Sequence, residues 1–199
     1  MRVVLITSKL NFETAGGSVL DLHLKALALK ELGHTVMVVT AFSRANKINQ
    51  SLSYVVKEED LSASGWIVQQ RGLYGLLRKY ESEADAFYID GNTFLYGGGL
   101  YRWLGGKPPV IAFFNIKLSC WSDTQNNDTK KKSFFAKLKR KVRFFVERYL
   151  GVLIANHLDA FIFTTPMVET LYLKFGFKKN KSHVIPHFVN TQDIISKQG

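Results

Sequence analysis

The chain has 199 residues, 46% apolar and 22% charged, with a formal net charge of +11; this is the composition of an ordinary soluble globular protein, with room for one large domain or two small ones around a substantial core. Cys120 is the only cysteine, which excludes an internal disulfide framework and a cysteine metal cluster and fits a reducing compartment. The first apolar run, about five residues, is too short for the ~7–15 of a signal peptide, and no stretch approaches the ~20 apolar residues of a membrane span, so the expected location is cytoplasmic.

Residues 3–6 form a short β-branched and aliphatic run, followed by a polar loop ending in Ala15-Gly16-Gly17-Ser18. Leu20, Leu24, Leu27 and Ala28 then recur at helical spacing and Gly33 ends that helix. Ser18 and Asp21 match the S-x-x-D capping box. Residues 36–39 read as a second buried strand. Strand, glycine loop, helix and strand make a βαβ unit, whose right-handed crossover sets two parallel neighbours in one sheet. Ligands of such sheets bind beyond the carboxyl ends of the strands.

After a polar connection the sequence predicts a weak strand over 53–56, a helix over 65–82 and a strand over 86–89 that runs into Asp90-Gly91-Asn92-Thr93. A short helix over 94–104 is predicted in spite of Gly97-Gly98-Gly99, which disfavour it. Pro108-Pro109 precede a strand over 110–114, and residues 119–132 are polar and irregular. A long helix follows over 133–156, then a strand over 160–163, a helix begun by Thr165-Pro166 and ended near Gly176, and a last strand over 183–185. The alternation predicts an α/β class, a Rossmann-like three-layer α/β/α sandwich with a mainly parallel sheet.

Gly16 and Gly17, opening a helix beside Ser18, would let backbone N–H groups approach a phosphate or sugar, with the helix dipole favouring an anion; two glycines also serve as plain turn punctuation. The G-x-G-x-x-G and G-x-x-x-x-G-K-[ST] fingerprints are both absent. Asp90, Asn92 and Asn115 stand at strand ends on the same edge, where polar groups bind sugar hydroxyls or position a substrate; turn chemistry is the favoured account of Asp90 and Asn92, which leaves Asn115 the stronger candidate. The five histidines show no metal-ligand spacing, and only His187 lies where the chain leaves the sheet.

Nine basic residues fall within 130–148, against Glu147 as the one acid, so that this stretch holds +8 of the net +11. Phe134, Leu138, Val142, Phe145, Tyr149 and Leu153 step by three or four and form an apolar face expected to pack on the sheet. Phe144 falls on the opposite side, among Lys137, Arg140, Lys141 and Arg148. With Lys130, Lys131, Lys132 and Arg143, these residues make a candidate surface for an anionic membrane. A non-catalytic module holding RNA or another polyanion is the competing reading; it is disfavoured because most aromatics here are expected in the core rather than on a stacking platform.

Four segments resemble the N-terminal domain of GT-B glycosyltransferases of the family 4 group. They are Ala15-Gly16-Gly17 with its helix running to Glu31-Leu32-Gly33-His34-Thr35-Val36-Met37-Val38-Val39-Thr40; the strand ends at Asp90 and Asn115; Asp159-Ala160-Phe161-Ile162-Phe163-Thr164-Thr165; and Lys181-Ser182-His183-Val184-Ile185-Pro186-His187-Phe188-Val189-Asn190. The resemblance implies a retaining transferase that moves a sugar from a nucleotide-sugar donor, with no metal or other cofactor, onto a glycan or lipid-linked acceptor in envelope polysaccharide or glycolipid synthesis. It implies a Rossmann-like acceptor-binding domain over 1–186 and the start of an inter-domain linker over 187–199, with the nucleotide-sugar domain missing and the fragment inactive alone. Gly16, Gly17 and Ser18 would approach the donor diphosphate; Asp90, Asn92, Asn115, Thr165 and His187 would bind acceptor. Many members carry histidine at the position of Asn115, serine at that of Thr165 and Asn-Gly at that of His187-Phe188. The family has no agreed protein nucleophile, so no catalytic residue is assigned. The basic helix agrees with members that work at the cytoplasmic membrane face.

Overall fold

The computed structural model describes residues 1–13, 17–61, 65–90, 94–115 and 134–187; within 134–140 only Leu138 is described with its side chain. The described strands are β1 (Arg2–Thr7), β2 (Thr35–Thr40), β3 (Val55–Glu58), β4 (Ala86–Asp90), β5 (Val110–Phe114), β6 (Ala160–Phe163) and β7 (Ser182–Val184). They form one sheet in the order β3-β2-β1-β4-β5-β6-β7. Every pairing is parallel, with Leu5 opposite Val38 on one side and Tyr88 on the other. The class is thus α/β and Rossmann-like. The central strands read as nearly unbroken apolar runs because helices cover both faces.

Side chains alternate cleanly between the two faces. Val4, Ile6, Phe87, Ile89, Ala112, Phe114, Phe161 and Phe163 point to one core, together with α2 (Trp66–Lys79), α3 (Leu95–Trp103) and α6 (Pro166–Lys174). Leu5, Val36 and Val38 point to the other, under α1 (Gly17–Glu31). Helix α1 ends as Gly33 predicts: its φ is +81°, Gly33 N–H bonds the Lys30 carbonyl and His34 N–H that of Leu29, the paired bonds of a Schellman motif. The inner face of α1 differs from the expected one. Val19, Leu22 and Ala26 are buried with Asp21 and Lys25, whereas Leu20 is exposed. Ser18 lies inside the helix and Asp21 turns to the core side, so the capping-box expectation does not hold.

The three glycines of α3 shape its packing and do not break it. A Cβ on Gly97 would stand 2.5 Å from the Gln70 carbonyl oxygen of α2, one on Gly98 2.5 Å from Ile89 of the sheet, and one on Gly99 2.3 Å from the Ile154 carbonyl oxygen. The helix is wedged between the backbones of α2 and of the segment at Ile154 and the side chains of the sheet.

This wedge decides the setting of the long helix, which is built as α4 (Phe134–Val146), a π-helical turn (Glu147–Gly151) and α5 (Val152–Ala155). Gly151 abuts Tyr96, where a Cβ would come within 2.7 Å, and Val152 and Ala155 join the core. With that side turned inward, the apolar stripe expected to pack on the sheet faces out: Leu138, Val142, Phe145, Tyr149 and Leu153 are 48–68% exposed. Phe144 is the inward aromatic. It packs against the core, edge-on to Phe175 with centroids 5.9 Å apart. The expectation of Phe144 as an outward, membrane-facing residue is therefore corrected: the two faces are exchanged.

Candidate functional site

In this strand order the connections from β1 run outward to β2 and β3, then cross to β4 on the other side of β1. The change of direction opens a crevice at the carboxyl ends of β1 and β4. Thr7 ends β1 and Asp90 ends β4, and Thr7 Oγ1 donates to Asp90 Oδ2 across the crevice at 3.4 Å.

Helix α1 follows β1 and runs antiparallel to it, which puts its N-terminus at this edge and its first two turns over the crevice. Asp21 and Lys25, one turn apart, form a buried ion pair. The Lys25 ammonium also sits 3.2 Å from the centroid of Phe113 and 5.4 Å from that of Tyr88, a cation enclosed by two ring faces. His187, beyond the end of β7, returns to the same place. Its Nδ1 is 3.2 Å from Asp21 Oδ1, and its ring meets Phe113 edge-on at 5.6 Å.

Asp90 lies deepest. Burial pushes its carboxyl up from the ordinary 3.8 to about 6; the Lys25 charge opposes the rise and the Asp21 charge adds to it. Its Oδ1 is buried without a hydrogen-bond partner among the described residues, as is the Tyr88 hydroxyl. Burial lowers the Lys25 proton affinity, against the raising effect of Asp21 and Asp90. A carboxyl half-protonated near pH 6 and largely ionised at neutral pH, with one oxygen unclaimed among the described residues, is equipped to accept a hydrogen bond or a proton from a hydroxyl brought into the crevice.

The parallel sheet also sets Asn115, just past β5, on this edge, and Thr165 past β6. Asn115 is half-buried and Thr165 exposed. Thr165 Oγ1 accepts the Val168 N–H at 3.2 Å as the N-cap of α6, so its hydroxyl serves the helix. Gly17 and Ser18 are exposed at the start of α1. Among the described residues, a Cβ on Gly17 would meet nothing within 4 Å. Gly16, Asn92, Lys130, Lys131 and Lys132 lie outside the described residues, as do the side chains of Lys137 and Arg140.

On the basic helix, Lys141 is exposed. Arg143 and Arg148 are tied to the protein. Arg143 pairs with Glu147 at 2.7 Å and lies over Trp66, while Arg148 donates to the Lys174 carbonyl at 3.0 Å and lies over Phe175.

Sequence reasoning did not find Thr7, Asp21, Lys25 or Tyr88. The signal available for two of them was a carboxylate and an ammonium at i and i+4 on the stripe that also bears Leu22 and Ala26. Beside the cluster, an apolar groove of about 400 Å³ runs along α1, lined by Val3, Leu5, Leu29, Phe113 and Ile162 and reaching Lys25. It offers almost nothing for a sugar to bond with.

The family profile described as Glycosyltransferase Family 4 matches residues 15–193. No curated protein matches the sequence. Among solved structures, HepE of Anabaena, in complex with UDP, superposes with a TM-score of 0.58 at 13% identity over 100% of this chain and 49% of its own. An apo OtsA structure gives 0.61 at 13% identity, over 99% and 52%. A sucrose-phosphate synthase chain from Thermosynechococcus elongatus gives 0.55 at 13% identity, over 100% and 96%. Identities this low speak to the fold alone. The chain spans about half the length of the HepE and OtsA chains it matches.

Proposed function

The chain belongs to glycosyltransferase family 4 and has the fold of an N-terminal GT-B domain, and from that premise we propose that it is the acceptor-binding lobe of a retaining glycosyltransferase. The donor is a nucleotide-sugar, the acceptor a glycan or lipid-linked sugar, and the work is done in the cytoplasm at the inner face of the cell membrane, in polysaccharide or glycolipid synthesis. A second lobe holds the nucleotide and closes over the carboxyl edge, and this lobe alone does not turn over. The donor class is supported by HepE, which has been solved with UDP and with UDP-glucose.

The observation that carries this reading is the convergence on one rim. The start of α1 at Gly17, Asp90 at the end of β4 and the exit residue His187, which pairs with Asp21 of α1, stand around the β1–β4 crevice, and Asn115 lies one strand further along. In this reading the start of α1 at Gly17 receives the donor diphosphate, where helix N–H groups and the dipole favour an anion. Asp90 and Asn115 hold acceptor hydroxyls, and His187 ties the rim to the linker that follows.

The test is an isotope-edited NMR titration of the chain with short oligosaccharides chosen from a glycan array. Saturable shifts of the Val19, Asp90, Asn115 and His187 amides are expected. Sugar binding that maps to another part of the molecule, or an array on which no glycan binds, would refute the assignment.

A further inference from the structure

The outward stripe of the α4–α5 helix has no place in the acceptor rim. Leu138, Val142, Phe145, Tyr149, Leu150 and Leu153 are all about half exposed or more. Leu138, Val142, Phe145, Tyr149 and Leu153 step by three or four residues along about 22 Å of the helix, with Leu150 at their flank. Phe145 and Tyr149 stack on each other with centroids 6.0 Å apart and planes 13° from parallel, presenting one flat aromatic surface to solvent. Lys141 is exposed beside the stripe.

Charge identifies what such a face can meet. Glu147, the one acid of residues 130–148, is 1% exposed and paired with Arg143. No carboxylate of this stretch therefore faces outward to repel an anionic surface, while nine basic residues stand in it. A second copy of the chain would bring two such basic helices together, which their charge opposes. RNA would stack on Phe145 and Tyr149, but Leu138, Val142, Leu150 and Leu153 have no π-face to offer it. An apolar side with Lys141 exposed beside it and no outward acid, in a stretch of sequence that carries +8, suits the boundary between headgroups and acyl chains of an anionic bilayer.

We infer that the Leu138-to-Leu153 stripe, with Lys141 beside it, is the surface by which this protein lies on an anionic bilayer, the stripe buried shallowly among the acyl chains. The inference rests on the membrane part of the reading above and names the residues that carry it. Helix α4 begins on the chain beyond the carboxyl end of β5 and α5 leads to the amino end of β6, so the docked helix starts at the rim edge. A lipid-linked acceptor held in the same leaflet is thereby presented beside the site.

Co-sedimentation of the whole chain with phosphatidylcholine vesicles, with and without phosphatidylglycerol, tests this. Binding is expected only with phosphatidylglycerol, and it weakens as salt is raised. The triple variant Val142→Ser, Phe145→Ser, Tyr149→Ser should bind at least about tenfold more weakly, because three large apolar side chains no longer leave water. Lys141→Glu, a single exposed change that leaves the fold intact, should weaken binding several-fold.

Failure of the wild type to bind anionic vesicles, or wild-type affinity in both variants, overturns the inference. So does concentration-dependent self-association lost in the triple variant, which would give the stripe to a second copy, or tighter binding to RNA than to vesicles. The oligosaccharide titration is read on separate amides, so the loss of membrane docking would leave the acceptor-rim reading standing.

Discussion

Asp90→Asn should make the protein more stable at pH 8, and the gain should fade in acid. The folded carboxyl holds its proton with a pKa of about 6 against 3.8 for an ordinary aspartate, a difference worth about 3 kcal/mol between protonated and ionised forms. Folding therefore takes up a proton between these values. The stability present below pH 4 is lost as pH rises through 6. A neutral amide of the same shape escapes that loss. About 1 kcal/mol is given back because an NH2 group in place of one carboxyl oxygen needs an acceptor in a buried site, which leaves a net gain of about 2 kcal/mol at pH 8. Lys25, Asp21, His187 and Tyr88 face Asp90 in both proteins, so the difference between variant and wild type isolates the one carboxyl. Urea unfolding followed by fluorescence at pH 4.5, 6 and 8 reads it out, with the slope on denaturant unchanged. A variant less stable than wild type by the same amount at every pH would show that Asp90 is not held against its ionisation, and the argument for a proton-accepting group in the crevice would fail with it.

Lys25→Met removes the cation shared by the Asp21 and Asp90 carboxylates and should cost about 3 kcal/mol at pH 8; the cost should shrink by pH 5, because Asp90 without the opposing ammonium protonates at still higher pH. A deficit independent of pH in the same urea series would refute the coupling. Gly99→Ala forces a Cβ into the backbone of α5, 2.3 Å from the Ile154 oxygen, and should cost about 3 kcal/mol or more. Gly75→Ala, whose Cβ would meet nothing within 4 Å, should instead raise the thermal midpoint through helix propensity worth about 1 kcal/mol; equal midpoints for the two would refute the wedge at α3. Phe144→Ala should lose about 2 kcal/mol of stability and leave vesicle binding unchanged, whereas Phe145→Ala should do the reverse.

Much of the element order was legible because it rests on local signals. The β-branched runs of β1 and β2, Gly33 after α1, and Thr165-Pro166 before α6 all act within a turn or a few residues, and each stands where its pattern indicated. The carboxyl edge was legible too, since parallel strands put every loop that follows a strand on the same side. Asp90, Asn115 and His187 could be placed there before any contact was known. Less legible was what those loops enclose. Asp21 and Lys25 look like an ordinary surface pair at i and i+4, and only their burial against Phe113 and Tyr88 makes them part of the crevice.

Sequence alone determined the alternation of strands and helices, the parallel sheet and the edge at which a ligand would be met, because hydrophobic period and turn chemistry are properties of neighbouring residues. Tertiary structure decided which way each helix is turned. In α1 and α4, apolar residues occur on more than one side, and the choice between sides falls to whatever can approach most closely. For the long helix that is Gly151 and Ala155 against Tyr96 and Gly99, a backbone contact no bulkier side could make. It turns Phe144 inward and leaves Phe145, Tyr149 and Leu153 facing out.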